Sequence, residues 1–253
     1  MDKDFTSHIY GRQPVLEALG QNLQIEKIFL LAGGDREFEK EVRNSIKNKE
    51  IDLAYVPREK LNRLTAGNHQ GILAVVNSYE YLTMDEILQK IKINNEVPFL
   101  FMLDQMTDVR NFGAIARSAL LGGCQGIIIP ASNSVSVTSD AMKASAGALA
   151  QIPVCKVPNL SDAADHLAQQ DIMIFASSME GSKMLHEIEL ESPCCVVMGS
   201  EKLGVSKAIL SRADVQFSIP QNDLLDSYNV SVAAGIVVYQ SILKRKYGKK
   251  KKK

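Results

Sequence analysis

Residues 98–130 read PFLFMLDQMTDVRNFGAIARSALLGGCQGIIIP. Both ends of the stretch, FLFML (99–103) and GIIIP (126–130), are short apolar runs of strand length. The piece between them, NFGAIARSALLGG (111–123), is helical in pattern. Strands without polar alternation predict a sheet buried on both faces, which is the signature of an α/β domain. The pattern continues downstream. IPVCKV (152–157), IMIFAS (172–177), CCVVMG (194–199) and VQFSIP (215–220) read as further strands, and LSDAADHLAQQ (160–170) and SYNVSVAAGIVVYQSILKRK (227–246) as helices. A domain is therefore expected over 98–246, with loops after the strands as its natural site. The Ala-Ala-Gly patch at 233–235 lets the last helix pack closely, either within the chain or on a second copy.

Working towards the N-terminus, residues 78–97 read as a connector with one helix, started by a Thr83–Glu86 capping box and ended by Asn94-Asn95. Residues 1–77 form a smaller α/β unit. Gly11 to Leu19 is a short amphipathic helix; KIFLLA (27–32), DLAYV (52–56) and GILAVV (71–76) are strands; residues 35–48 and PREKLNRL (57–64) are helical. Strands separated by helices predict a substantially parallel sheet here too. Residues 247–253 are a basic tail.

Composition sets bounds on this reading. The chain has 253 residues, 45% hydrophobic and 23% charged, which is enough for two ordinary globular domains. No apolar run is long enough to cross a bilayer, and the first residues lack the pattern of a signal peptide, so a cytoplasmic protein is expected. Cys124, Cys155, Cys194 and Cys195 form no C-x-x-C pair, so they read as small core residues rather than a metal site or a disulfide framework. Net charge is zero but unevenly spread. Residues 78–243 hold 10 basic and 18 acidic side chains, and residues 244–253 hold 8 basic and no acidic ones. The tail is either a phosphate-binding arm or a solubilising end.

Three polar clusters follow apolar strands: Asp104–Ser118, Gly199–Ser206 (GSEKLGVS) and Ile219–Ser231 (IPQNDLLDSYNVS). Singly, each reads as turns and caps. Asn111 could be only an N-cap, as could Ser227, and Gly199 and Gly204 only turn formers. In this order they resemble the three motifs of the SpoU (TrmH) family of RNA ribose 2′-O-methyltransferases, in the SPOUT superfamily. DVRNFGAIARSA (108–119) is similar to D-P-x-N-x-G-A-x-x-R-x-A. GSEKLG (199–204) is similar to G-x-E-x-x-G, and IPQNDLLDSYNVSVA (219–233) to I-P-M-x-G-x-x-x-S-L-N-V-S-x-A. IYGRQPVLEAL (9–19) and HQGILA (69–74) resemble the family's ribosomal-protein-like substrate-binding domain, and the two-domain layout resembles the RlmB-type branch. Val109, Gln221, Asp223 and Tyr228 depart from the motifs, where Pro, Met, Gly and Leu are usual.

The resemblance implies a trefoil-knotted methyltransferase domain, a homodimer, and S-adenosylmethionine bound in the knot by backbone groups at Gly199, Ile219 and Tyr228. It implies methyl transfer to a ribose 2′-hydroxyl of RNA, most closely a guanosine of large-subunit (23S) rRNA. The implied catalytic residues are Arg117, Asn111, Glu201, Ser227 and Asn229. Arg117 would fix the phosphate and developing charge rather than act as a base, because guanidinium stays protonated. Glu201 would orient a loop, paired with Arg117, or sit as a charge at a helix N-terminus. Asn133, Ser177 and Ser178 are candidates for the pocket border, and Arg110, Lys143, Lys202 and Lys207 for phosphate contacts. His69 and Gln70 are either a turn or an RNA contact. No aromatic stacking motif is evident. Transfer to tRNA is the nearest alternative, and a non-catalytic RNA-binding or ribosome-assembly factor is the next. A doubly wound nucleotide-binding enzyme lacks support, because the chain has no G-x-G-x-x-G after its first strand and no P-loop.

Overall fold

The computed structural model describes residues 6–20, 23, 25–47, 49, 51–77, 79–222 and 227–248. Asp223 and the lysines at 249–253 lie outside the described residues. The chain divides into two compact units, before and after the Glu80–Tyr81 bond.

The first unit runs β1 (Thr6–Tyr10), α1 (Arg12–Gly20), β2 (Ile25–Leu31), α2 (Arg36–Ile46), β3 (Asp52–Val56), α3 (Arg58–Leu64) and β4 (Ile72–Asn77). Its sheet has the order β1-β4-β2-β3. Only β2 and β3 are parallel; β4 runs antiparallel to both β1 and β2. The expectation of a substantially parallel sheet is thus corrected. Its cause is β4, which lies reversed between β2 and the edge strand β1, and the sequence reading did not contain β1. Of its last three residues His8 and Tyr10 are exposed and Ile9 only half-buried, so it lacks the apolar run that marks the others. One face carries α1 and α2 over Val15, Leu19, Ile28, Leu30, Phe38, Val42, Ile72 and Ala74. The other is covered by the seven-residue α3, whose Leu61 packs with Val56 and Leu73.

The second unit begins with α4 (Met84–Ile93), started by the expected capping box and ended at Asn94. The helix is no connector. Ile87 and Ile91 are buried in the core of the second unit, beside Leu100, Ile128 and Leu167. The strands are β5 (Phe99–Leu103), β6 (Gly126–Pro130), β7 (Val154–Val157), β8 (Met173–Ser177), β9 (Lys183–Met184), β10 (Cys194–Met198) and β11 (Val215–Ser218). They form a seven-stranded parallel sheet in the order β7-β6-β5-β10-β8-β11-β9. Every residue of β5 and β10 is buried, as expected of central strands covered on both faces. The helices are α5 (Val109–Leu121), α6 (Ser139–Ala144), α7 (Leu160–Ala168), α8 (Lys207–Leu210) and α9 (Val230–Ile242). Helices α4, α7 and α8 pack on one face; α5 packs against both α6 and α9. All four cysteines are buried free thiols, as expected of core residues.

The last helix continues into a π-helical turn at Leu243–Tyr247. There Arg245 donates to the carbonyls of Val97, Pro98, Leu190 and Ser192 at 2.7–2.9 Å and lies 5.0 Å above the Phe99 ring. Lys244 bonds the Ile188 carbonyl. These two basic residues belong to the fold and not to a tail. Among the described residues, no helix is long and apolar enough to cross a membrane.

Candidate active site

In a parallel sheet the loops after neighbouring strands meet at one edge. Strands β5 and β10 are neighbours, so the loop leading into α5 lies beside the loop after Met198. The ladder extends by one bond, from Asp104 N–H to the Met198 carbonyl at 2.9 Å. Asp104 is 6% exposed, and its carboxylate accepts the Ser206 N–H at 2.7 Å. Gln105, at φ +56°, donates its side-chain amide to the Gly204 carbonyl at 3.2 Å. Both residues hold the 199–206 loop in place. Sequence reasoning included Asp104 in a polar cluster but did not single it out.

The loop itself folds back sharply. Gly204 has φ +66° and donates its N–H to the Ser200 carbonyl at 2.9 Å. A Cβ on Gly199 would stand 2.0 Å from the Gly204 carbonyl carbon and 2.2 Å from the Val205 nitrogen. Gly199 thus serves close backbone approach and Gly204 the left-handed turn, which is more than a generic turn preference.

This loop forms one wall of a cleft of about 410 Å³, within the range of about 300–1,000 Å³ common for small-molecule sites. Other walls come from Ser177 to Glu180 after β8, Ile219 and Gln221 after β11, and Ser227, Tyr228 and Val230 at the start of α9. Gly199, Ile219 and Tyr228, the three residues expected to hold a cofactor, all line it, as do Glu201, Ser227 and Lys202. Ser177 and Ser178 border it; Asn133 does not. The exposed side chains Met179 and Leu203 at its rim were not foreseen, since nothing in a short loop signals which residues flank a cleft.

At its edge three expected residues from three motifs close a triangle. Asn111 Nδ2 donates to Glu201 Oε1 at 2.9 Å, Asn229 Nδ2 donates to the same oxygen at 2.5 Å, and to Asn111 Oδ1 at 3.1 Å. Asn229 Oδ1 accepts from the Ser231 and Val232 N–H groups and from the Ser231 hydroxyl, so Asn229 is the N-cap of α9. Ser227 is therefore not the cap, and neither is Asn111 in its own helix, where Asp108 caps α5. Both amide hydrogens and the oxygen of Asn229 are committed, so it positions its neighbours. Glu201 Oε2 forms none of these bonds and stays available.

The pairing of Glu201 with Arg117 does not occur; the carboxylate is engaged by the two asparagines. Arg117 lies six residues after Asn111 on α5, about 9 Å along the helix and about 120° around it. It is exposed, has no hydrogen-bond or ion-pair partner among the described residues, and does not line the cleft. Arg110 and Lys207 are exposed, while Lys143 is 3.9 Å from Asp140 with both side chains over 80% exposed, a pair of little energetic weight. In the first unit His69 is buried. Its Nδ1 accepts the Gly71 N–H at 3.0 Å, which leaves Nε2–H to donate to Asn62 Oδ1 at 2.9 Å. Of its two readings, the turn is the correct one. Gln70 is exposed, and its side-chain oxygen accepts the Arg12 N–H at 3.0 Å.

A glycine-walled cleft at the ends of parallel strands, with a carboxylate and two carboxamides locked at its edge, defines a small-molecule-dependent α/β enzyme. Residues 98–239 match the SpoU rRNA methylase family model, and residues 8–82 match that for RNA 2′-O ribose methyltransferase substrate binding. The chain belongs to the SpoU family of RNA methyltransferases. It is similar to YacO of Bacillus subtilis, named as a TrmH-family tRNA/rRNA methyltransferase, with 31% identity over 94% of this chain and 96% of that one. A protein of Mycolicibacterium vanbaalenii, named as an uncharacterized tRNA/rRNA methyltransferase, is 34% identical over 96% of this chain and 78% of its own. Among solved structures, the SpoU methyltransferase AviRb from Streptomyces viridochromogenes, in complex with AdoMet, shares the fold. Its TM-score is 0.61 at 19% identity, over 95% of this chain and 91% of that one.

Proposed function

We propose that this enzyme transfers a methyl group from S-adenosylmethionine to the 2′-hydroxyl of a guanosine ribose in large-subunit (23S) rRNA, in the cytoplasm. The observation that carries the reading is the triangle of Asn111, Glu201 and Asn229 beside the cleft walled by Gly199, Ile219 and Tyr228. The donor supplies an activated methyl on its sulfonium, so the protein mainly binds and orients. The close Gly199–Gly204 backbones suit a ligand held by main-chain groups. Glu201 Oε2 and the second Asn111 amide hydrogen are free to receive and orient a ribose hydroxyl. Ser227, in the cleft wall, faces the same ligand.

Arg117 stabilises the phosphate and the developing alkoxide charge. Because it does not line the cleft of its own chain, its service to the reaction fits a homodimer in which Arg117 of the partner subunit completes the site. An apolar stripe supports that assembly: Val232, Ile236 and Tyr239 follow one face of α9, Leu243 continues it into the π-helical turn, and Val232 and Tyr239 are 50% and 62% exposed. The family's trefoil knot is consistent with the path of the chain. Ile219 and Gln221 after β11 and Ser227 and Tyr228 before α9 line one cleft with the 199–206 loop, and α9 packs against α5.

The test is incubation with labelled S-adenosylmethionine and unmodified RNA, followed by nuclease digestion and mass spectrometry. A 2′-O-methylguanosine in large-subunit rRNA is expected. Methylation of tRNA would change the substrate and keep the chemistry; the relatives are named for both RNAs. A methylated base would refute the ribose assignment. Absence of both donor binding and transfer would leave a non-catalytic RNA-binding or assembly factor.

A further inference from the structure

The sheet of the first unit is covered unequally. Strand pairing places residues in two rows across it: Tyr10–Leu73–Phe29–Ala54 and His8–Val75–Lys27–Asp52. Directly paired residues share a face, so both rows lie opposite α1 and α2. Helix α3 buries Leu73, but Phe29 and Val75 remain half-buried, and His8 and Tyr10 are exposed. Tyr10 is 39% exposed, with the hydroxyl end of its ring close against Gly67, where a Cβ would stand 2.3 Å from a ring carbon.

The charges on this face are positive and poorly compensated. The Lys27 and Lys60 ammonium groups both face the Phe29 ring, 5.6 and 5.0 Å from its centre. Lys27 bonds the exposed Asp52. Lys60, Arg58 and Arg63, all on α3, have no ion-pair partner among the described residues. By contrast, Arg12 and Arg43 elsewhere in the unit are paired with Asp35 and Glu39. Asp52 answers the Lys27 charge only, so the Lys60 ammonium over the same ring is left to attract an incoming anion. Half-exposed rings flanked by cations, Lys60 without an ion-pair partner among the described residues and Lys27 held only by the exposed Asp52, offer what single-stranded RNA requires: a face for bases and charge for phosphates.

We propose that this half-covered sheet face binds an unpaired RNA segment, with bases on Phe29 and Tyr10 and phosphates at Lys27 and Lys60. The proposal rests on the reading of the chain as an RNA methyltransferase and says which surface of its substrate-binding unit holds the strand. The aromatics lie on different strands, so no contiguous motif announced them.

The test uses the full chain and an unmodified transcript of large-subunit rRNA, with binding followed over a range of salt. Lys27→Ala/Lys60→Ala is expected to weaken binding about tenfold near physiological salt and to flatten the salt dependence by about 0.7 per lysine. Phe29→Leu, which keeps an apolar body, is expected to weaken binding at least about fivefold without changing that slope. In each variant KM for RNA should rise while donor affinity stays constant. Lys40→Ala/Lys47→Ala, on α2 and at its C-terminal cap across the sheet, is the control and should behave as wild type. Unchanged affinity and slope in both test variants would overturn the proposal, as would an equal loss in the control. A wild-type chain that methylates no RNA would instead sink the proposed function, so the two failures are distinct.

Discussion

Asn229 serves two structures at once, and substitution can separate them. Asp caps helices as well as Asn, so Asn229→Asp should keep the start of α9. It would also set a second carboxylate against Glu201, 2.5 Å away in the present arrangement. Turnover is therefore expected to fall further in Asn229→Asp than in Asn229→Ala, while thermal unfolding shows the opposite order, with the alanine variant losing about 1 kcal/mol of capping. The same order in both measurements would argue against the split role. Arg117→Ala should abolish transfer with donor affinity intact, because the side chain is remote from its own cleft; single-turnover kinetics beside equilibrium donor binding would check it. Gly199→Ala should lose the donor first, since the methyl would enter the Gly204 backbone. At this scale the sequence was informative about which residues matter, because each motif sits at the end of a buried strand. It was silent about who bonds to whom. Asn111 and Arg117 share one helix, yet only rotation about its axis decides which meets Glu201. Asp104 stayed hidden because a carboxylate after a strand ordinarily faces solvent.

Among the elements, central strands declared themselves through unbroken apolar runs, and β5 and β6 fall on the expected residues. The edge strand β1 and the two-residue β9 did not, since neither is buried on both faces. Helix α4 was legible as a helix but not as core; its polar face, with Asp85, Glu86 and Lys90, obscures the two isoleucines that dock. Arg245 is the reverse case, a cation in a basic run that turns out to tie α9 to the starts of β5 and β10. Its replacement by alanine frees four carbonyls and is expected to cost about 2–4 kcal/mol, read from urea unfolding of the full chain.

For the molecule as a whole, the division at Glu80–Tyr81 gives a practical boundary. A fragment starting at Tyr81 should fold and bind donor while losing RNA affinity. One starting at Pro98 lacks Ile87 and Ile91 and should unfold at markedly lower denaturant, which circular dichroism would show. The buried thiols set an alkaline limit. Desolvation pushes Cys124 up to about 12 and Cys155 and Cys194 to about 11, against an ordinary 9.0, and raises Cys195 well above it. The native state then retains protons that the unfolded chain releases. This contribution to stability is complete below the ordinary thiol range and disappears as pH climbs from 9.0 towards about 12. A midpoint of unfolding that stays constant across that window would contradict it, as would rapid native alkylation near neutrality.

The Asn229 cap has a consequence for descent. A lineage released from the need to methylate would still be selected to start α9, so Asn229 would persist as a scaffold residue after its catalytic neighbours had drifted. Glu201, whose bonds serve only the triangle and the Val230 N–H at 3.4 Å, carries no such second duty. It would be the first of the three to vary, and its replacement would date the loss of chemistry in a branch whose fold remained whole.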